Sequence, residues 1–365
     1  MKLHFFIPDL TSGGAERVFS TLLRLWSPED EVTLVVLRRE GVYLDLLPAD
    51  LRIVSLDTSR MLTALPRLFG FWRRERPDAV LATQAHVNGL LGLLARWLPK
   101  TRFVGRETSL PSRARVQKKL PRWQETLYKI GYRRLAAVIC PSRVIADELS
   151  RDYGVPSARL PVVPNPVDLE ALEVLAREEL TGRLKTFMDE PGSFVVAASG
   201  RLEAVKGFDL LLEAAALLPP RFRFVIMGEG RERPALETMV EKLALTGRVL
   251  LTGFETNPHR VTARAKAFVL SSRYEGFPNA VLEALALGTP VAAFRAPGGI
   301  SDILENGVTG VFAEPENPSA LAEALIKVAS RTWPGEELRA RIRERYDGLS
   351  VAARYRHIIK ETLNG

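Results

Sequence analysis

The run SSRYEGFPNAVLEALALGTP, residues 271–290, places two carboxylates, Glu275 and Glu283, on either side of a turn and a helix start. Gly276, Phe277 and Pro278 make the turn, and an Ala/Leu-rich helical stretch follows. Proline suits the first helical position because its missing N–H would go unpaired there anyway. The backbone N–H groups of Asn279, Ala280 and Val281 are then expected to face outward as an anion site. Glu275 falls just before that site, and Glu283 about one helical turn inside it. A sugar nucleotide requires this pairing: a diphosphate at a helix N-terminus, with carboxylates gripping ribose and sugar hydroxyls on either side. An ordinary strand–loop–helix crossover with two solvated glutamates would use the same residues, so their neighbours decide.

Upstream, the apolar run FVVAA (194–198) ends in Ser199-Gly200-Arg201-Leu202, followed by Lys206-Gly207 and FDLLLEAAALL. This reads as a buried parallel strand, a tight turn and a helix with two cations at its mouth. Arg201 can grip phosphate oxygens through its planar fork, and Lys206 adds a point charge. Ligands of such sheets collect at the carboxyl ends of the strands, where these cations and the Glu275 turn are expected to meet. Near the N-terminus, PDLTSGGAERV follows an apolar strand and opens a helix. Gly13 and Gly14 clear side chains from a turn where backbone must approach a ligand, and the helix N-terminus attracts phosphate. The turn is not G-x-G-x-x-G, and no acidic residue follows in the context a nicotinamide ribose needs. A dinucleotide oxidoreductase is therefore disfavoured.

Five motifs run in order over nearly the whole chain. They are Gly13-Gly14-Ala15-Glu16-Arg17, Val163-Pro164-Asn165-Pro166-Val167-Asp168, Gly200-Arg201-Leu202 with Lys206-Gly207, EGFPNAVLE (275–283), and Pro297-Gly298-Gly299 through Asn306-Gly307-Val308-Thr309-Gly310. The series resembles family-four retaining glycosyltransferases of the GT-B fold, in the style of bacterial enzymes adding hexose or N-acetylhexosamine to lipid-linked glycans, lipopolysaccharide and other polysaccharides. The resemblance implies an α/β protein with two Rossmann-like parallel-sheet domains facing across a cleft. It also implies a nucleotide-diphosphate sugar as co-substrate, UDP-linked by preference, with no metal and no further cofactor.

Roles follow from the same resemblance. The base would lie near Thr252-Gly253-Phe254 and Gly228-Glu229-Gly230, with ribose on Glu283. The diphosphate would lie on Arg201, Lys206 and the Gly276-Phe277-Pro278-Asn279-Ala280 turn, close to Gly14 and Gly200. Glu275 would hold the sugar hydroxyls, and Arg201 and Lys206 would stabilise charge on the leaving diphosphate in place of a metal. Retention would come from same-face attack, the leaving phosphate oxygen assisting deprotonation of the acceptor hydroxyl. On the acceptor side the candidates are Gly13, His86, Arg113, Lys118 and Trp123. His86, at a predicted helix start, fits a sugar-hydroxyl contact or a merely packed ring. In Val104-Gly105-Arg106-Glu107-Thr108-Ser109, Glu107 or Thr108 stands about where many relatives carry a histidine near the reacting sugar, so Glu107 is a further catalytic candidate.

The elements that must position these groups alternate as short β-rich runs and longer helical patterns, the signature of parallel βα units. Residues 1–165 are expected to form an acceptor-binding domain whose last strand lies at 160–163. Residues 166–192, bounded by Pro164-Asn165-Pro166 and Pro191-Gly192, read as a charged linker. Residues 193–345 are expected to form the nucleotide-sugar domain. Residues 346–365 would be a helix that, in the family, crosses back onto the first domain.

At 365 residues the chain suits two cores, and 46% apolar content with mean hydropathy near zero describes a globular protein. It opens on the strand-like KLHFFIP, so no signal peptide is expected, and LLGLLARWL (90–98) is too short for a membrane span. The lone Cys140 excludes an intrachain disulfide, fits a cytoplasmic setting and reads as a small buried hydrophobe. Four scattered histidines lack metal-ligand spacing, and no Asp-x-Asp occurs.

Charge is uneven. Between Arg106 and Arg134 nine cations face two acids, which is nearly all of the formal +8, with Trp123 and Tyr128 interleaved. Such a segment suits the anionic inner face of a membrane, the pyrophosphate of a lipid-linked acceptor, or simply a solvated helix face. Nucleic acid is not expected, because no nucleic-acid motif accompanies the charge. Two other functions share these motifs: a non-transferring GT-B enzyme such as a UDP-N-acetylglucosamine epimerase, and an inactive partner subunit of glycan assembly.

Overall fold

The computed structural model describes the chain apart from Ser12, residues 114–121 and Gly365; at 122–123 it describes the main chain alone. Two compact units result: Met1–Pro166 with Gly348–Gly365, and Val167–Asp347. Each is built on one six-stranded parallel sheet.

In the first unit the strands are β1 (Lys2–Ile7), β2 (Glu31–Val36), β3 (Arg52–Ser55), β4 (Ala79–Thr83), β5 (Arg102–Arg106) and β6 (Ala137–Ile139). They lie in the order β3-β2-β1-β4-β5-β6. Runs such as FFI in β1 and AVLA in β4 are apolar at successive positions because both faces of the sheet are covered, leaving no solvent side to alternate with. The covering helices are α1 (Gly14–Arg24), α2 (Met61–Glu75), α3 (Ala85–Ala95), α4 (Arg122–Tyr132) and α5 (Arg143–Tyr153). Of the strand expected at 160–163, only a parallel bridge between Cys140 and Val162 forms. Pro161, Pro164 and Pro166 lack the N–H groups that a longer ladder needs.

In the second unit β7 (Phe194–Ser199), β8 (Phe222–Met227), β9 (Val249–Gly253), β10 (Ala267–Leu270), β11 (Val291–Phe294) and β12 (Gly310–Ala313) lie in the order β12-β11-β10-β7-β8-β9. The stretch 166–192 is more than a linker. It carries α6 (Leu169–Arg177) and α7 (Gly182–Met188), and Leu172, Leu180, Leu184 and Phe187 are buried in this unit's core. Asp168 caps α6, its carboxylate accepting the Ala171 N–H at 3.0 Å. The remaining helices are α8 (Phe208–Ala216), α9 (Arg233–Lys242), α10 (His259–Thr262), α11 (Asn279–Ala286), α12 (Ile300–Ile303), α13 (Pro318–Ala329) and α14 (Gly335–Tyr346).

The last helix, α15 (Gly348–Asn364), belongs to the first unit, where Val351, Ala352, Tyr355 and Ile359 join the core around α1 and β1. Polar ties hold it as well. Arg356 donates to Asp30 at 2.7 Å, and Asp30 also accepts the N-terminal ammonium at 3.0 Å. The buried Arg106 donates from Nε to the Tyr355 hydroxyl at 3.1 Å and from its other nitrogens to Thr83 and Asn165.

Candidate functional site

In the second sheet the chain runs outward from β7 to β9 in one direction and from β10 to β12 in the other. The loops after β7 and β10 therefore meet where strand order reverses, the crevice in which open α/β sheets take ligands. Lys206 comes from the first loop and Glu275 from the second, and Lys206 Nζ donates to Glu275 Oε1 at 2.6 Å. The same oxygen accepts the hydroxyl of Ser272 at 2.6 Å. The two loops are joined along their length. Ser271 Oγ donates to the Lys206 carbonyl at 2.9 Å, and the Arg273 N–H donates to the Val205 carbonyl at 2.8 Å. The Arg273 guanidinium spans Asp209, with bonds of 3.0 and 2.6 Å. Gly207, at φ 62°, is where the Lys206 turn passes the Ser271 carbonyl; a side chain there would collide with it. Arg201 lies exposed on the same loop, and among the described residues its guanidinium has no hydrogen-bond or ion-pair partner.

A third loop closes on the Glu275 turn. The Glu275 N–H donates to the Pro297 carbonyl, and the Gly299 N–H donates to the Gly276 carbonyl, both at 3.1 Å. The expected Pro297-Gly298-Gly299 motif is thus fastened alongside. Pro278 caps α11 rather than opening it, and its carbonyl accepts the Val281 N–H at 3.1 Å. Val281 is therefore withdrawn from the expected anion site, leaving Asn279 and Ala280, both half-buried, at the helix mouth. Phe277 requires a second correction: its ring packs inward, 6.2 Å from that of Tyr346, so only its main chain remains for a ligand. Glu283 sits in the second turn of α11 with the buried His259 Nδ1 at 3.9 Å from its Oε2.

The glycine positions expected near the base converge as well. The Gly228 N–H donates to the Gly253 carbonyl at 2.8 Å, and a side chain on Gly228 would strike the Gly200 carbonyl, so β7, β8 and β9 end in one tight cluster. Thr252 donates its hydroxyl to the Gly253 carbonyl at 3.0 Å. Phe254, next along, is 54% exposed, unusual for a phenylalanine at a strand end and suited to stacking on a flat ring. Glu229 is paired with Arg233 at 2.8 Å.

In the first unit strand order reverses between β1 and β4, and the turns after both are coupled. Gly13 caps α1, which starts at Gly14; Gln84, between β4 and α3, donates to Glu16 at 3.0 Å. Gln84 adopts φ 80°, ψ 132°, a region side chains seldom enter. His86 is the second residue of α3 and half-buried. Glu107 does not present a carboxylate to a ligand: it is 1% exposed. It accepts the Tyr132 hydroxyl and the N–H groups of Thr108 and Ser109 at 2.8 and 3.3 Å. Burial pushes its carboxyl above the usual range, against these three donors.

The basic segment is likewise partly interior. Arg106 is 1% exposed and Tyr128 5%, while Lys129 is paired with Glu125 at 3.0 Å. Arg113 is exposed; Arg115, Lys118, Lys119 and the side chains of Arg122 and Trp123 lie outside what is described. Among the described residues no helix is long and apolar enough to cross a membrane, and no His, Cys, Asp or Glu cluster is placed to hold a metal ion.

Sequence reasoning did not single out Ser272, His259 or Gln84 as candidates, and it met Glu16 only as part of the motif at 13–17. Neither Ser272 nor His259 carried a signal in the sequence that could have found it.

Two family models match the chain. The model described as Glycosyltransferase Family 4 covers residues 12–171, and that described as Glycosyl transferases group 1 covers 187–346. Among curated relatives, the chain is 27% identical to an N-acetylgalactosamine-N,N'-diacetylbacillosaminyl-diphospho-undecaprenol 4-alpha-N-acetylgalactosaminyltransferase of Campylobacter jejuni, over 89% of each chain. It is 28% identical to the lipopolysaccharide core biosynthesis glycosyltransferase LpsE of Rhizobium meliloti, over 91% of this chain and 89% of the relative. Among solved structures, Anabaena HepE in complex with UDP and glucose superposes with a TM-score of 0.83 at 19% identity, over 99% of this chain and all of that one.

Proposed function

As the chain belongs to the family 4 glycosyltransferases of the GT-B fold, we propose that it moves a hexose or N-acetylhexosamine, with retention, from a UDP-sugar to a lipid-linked or polysaccharide acceptor. The observation that carries this is the meeting of Lys206 and Glu275 at the carboxyl ends of β7 and β10, with Arg201 exposed on the Lys206 loop. A diphosphate beside Lys206 and Arg201 faces two cations placed where negative charge grows as the glycosidic bond breaks. Preorganised charge of this kind is commonly the largest single contribution to such catalysis, and here it stands in for a metal. Glu275 would receive the sugar hydroxyls, Glu283 the ribose, and Phe254 with the Gly228 and Gly253 turns the base. The acceptor hydroxyl would attack from the face the diphosphate leaves, its proton passing to the leaving phosphate oxygen.

The activities for which the Campylobacter and Rhizobium relatives are named favour a lipid-linked or lipopolysaccharide acceptor. The first unit, with Gly13, Gly14 and His86 at its own strand-order reversal, would receive it. Peripheral contact with an anionic membrane face through Arg113 and the cations that follow fits such an acceptor. Co-sedimentation with anionic vesicles at low and high salt checks that contact.

A panel of nucleotides and nucleotide sugars scored by thermal shift tests the donor assignment. UDP and one UDP-sugar should raise Tm, because a ligand that binds only the native state stabilises it. No shift with any uridine nucleotide, together with a shift from a guanosine or adenosine one, overturns the UDP preference. Interconversion of a free UDP-sugar without acceptor would favour the epimerase instead.

A further inference from the structure

We propose that Ser272 is a positioning residue for the transfer step, fixing which carboxylate oxygen of Glu275 meets the donor sugar. The inference rests on the donor reading above, in which Glu275 grips sugar hydroxyls.

Ser272 is 1% exposed, and among the described residues its hydroxyl makes one hydrogen bond, to Glu275 Oε1 at 2.6 Å. Lys206 Nζ reaches the same oxygen, also at 2.6 Å. Both donors fall on Oε1, so among the described residues Oε2 accepts no hydrogen bond. The terminal torsion of a glutamate is broad and roughly two-fold, so a carboxylate held at one point exchanges its oxygens readily. Two donors arriving at one oxygen from different loops remove that freedom and leave Oε2 presented in one direction.

Of the two donors, Ser272 is the stiffer. Lys206 holds Glu275 through a flexible four-carbon stem, and its remaining N–H groups are the ones available to a diphosphate. Ser272 has one side-chain torsion, and the residues on both sides of it are tied by cross-loop bonds. These run from Ser271 Oγ to the Lys206 carbonyl at 2.9 Å and from the Arg273 N–H to the Val205 carbonyl at 2.8 Å. The orientation of Glu275 is thereby referred to the backbone of the β7 and β10 loops and persists if Lys206 shifts toward phosphate.

The test uses the full chain with Ser272→Ala, Ser272→Thr and Glu275→Gln. UDP release is followed from the UDP-sugar that gives the largest thermal shift, and UDP affinity is measured by calorimetry. Ser272→Ala should lower kcat by about ten- to a hundredfold, the usual scale for a misplaced reacting group, while the UDP Kd stays within about twofold. Ser272→Thr, which keeps the hydroxyl, should recover most of the rate. The proposal is overturned if Ser272→Ala keeps wild-type kcat, if its UDP affinity falls in step with its rate, or if Thr is as slow as Ala at an unchanged Tm. Glu275→Gln separates the two levels. If it is slow while Ser272→Ala is not, only the positioning role fails; if Glu275→Gln itself is as fast as wild type, the donor reading fails with it.

Discussion

Lys206 faces two demands, since it is held by Glu275 and, in the proposed reaction, also meets the leaving phosphate. Removing it should therefore disturb both sides of the site. Lys206→Ala or Arg201→Ala is expected to lower turnover by about a hundredfold or more at nearly unchanged Tm. Activity within a few-fold of wild type for both variants would take them out of the site. Glu283 offers a contrast. It sits inside α11 beside His259, and its expected partner is ribose. Glu283→Ala should accordingly weaken UDP binding by calorimetry, and unchanged affinity would exclude that role. The two glutamates and two cations were legible in the sequence as candidates because each stands at a fixed offset from a turn, where spacing encodes position. Ser272 and His259 were not. A serine at a strand end and a histidine in a short helix look alike whether they touch solvent or a carboxylate, and only the packing of separate loops tells these apart.

At the level of elements, parallel strands announced themselves as unbroken apolar runs, and their alternation with helices was enough to fix two βα sheets. The stretch 166–192 misled because its charged residues dominate; its few inward positions, Leu172, Leu180, Leu184 and Phe187, are spread over two short helices with a turn between. Glu107 misled for the opposite reason. Its place after β5 suits a ligand-facing group, but its carboxylate ties the β5 turn to α4 through Tyr132. Replacing it removes an acceptor from the buried Tyr132 hydroxyl and from two part-buried N–H groups, which are costly to leave unpaired. Glu107→Ala should therefore destabilise the first unit by about 2–4 kcal/mol, seen as a lowered denaturant midpoint. Protein that remains folded should release UDP at close to the wild-type rate. A stable but inactive variant would restore Glu107 to the chemistry.

For the molecule as a whole, acid should act first on the unit that carries α15. His4 in β1 is fully buried against Phe71, and burial, helped by the charge of Lys2, pushes its imidazole down to about 4. The unfolded chain takes up that proton near pH 6.5, so the neutral ring favours the folded form above that pH. That contribution is lost as pH falls from about 6.5 toward 4. Denaturant midpoints between pH 7 and 5 should show the slope in wild type and not in His4→Leu; equal slopes would mean His4 is protonated where it sits. The return of α15 to the first unit was expected from family likeness, not from any pattern in residues 346–365 themselves. It has a consequence in time. Arg106 and Asp30 are made before the second unit, yet Tyr355 and Arg356, which hydrogen-bond to them, are made after it. The second unit has its whole sequence in hand before the first does. Domains ordinarily fold in the order they are synthesised, N-terminal first. Here the half begun first is the half completed last, and a chain halted before residue 348 would carry the whole sequence of the second unit while the core of the first still lacked Val351, Ala352, Tyr355 and Ile359.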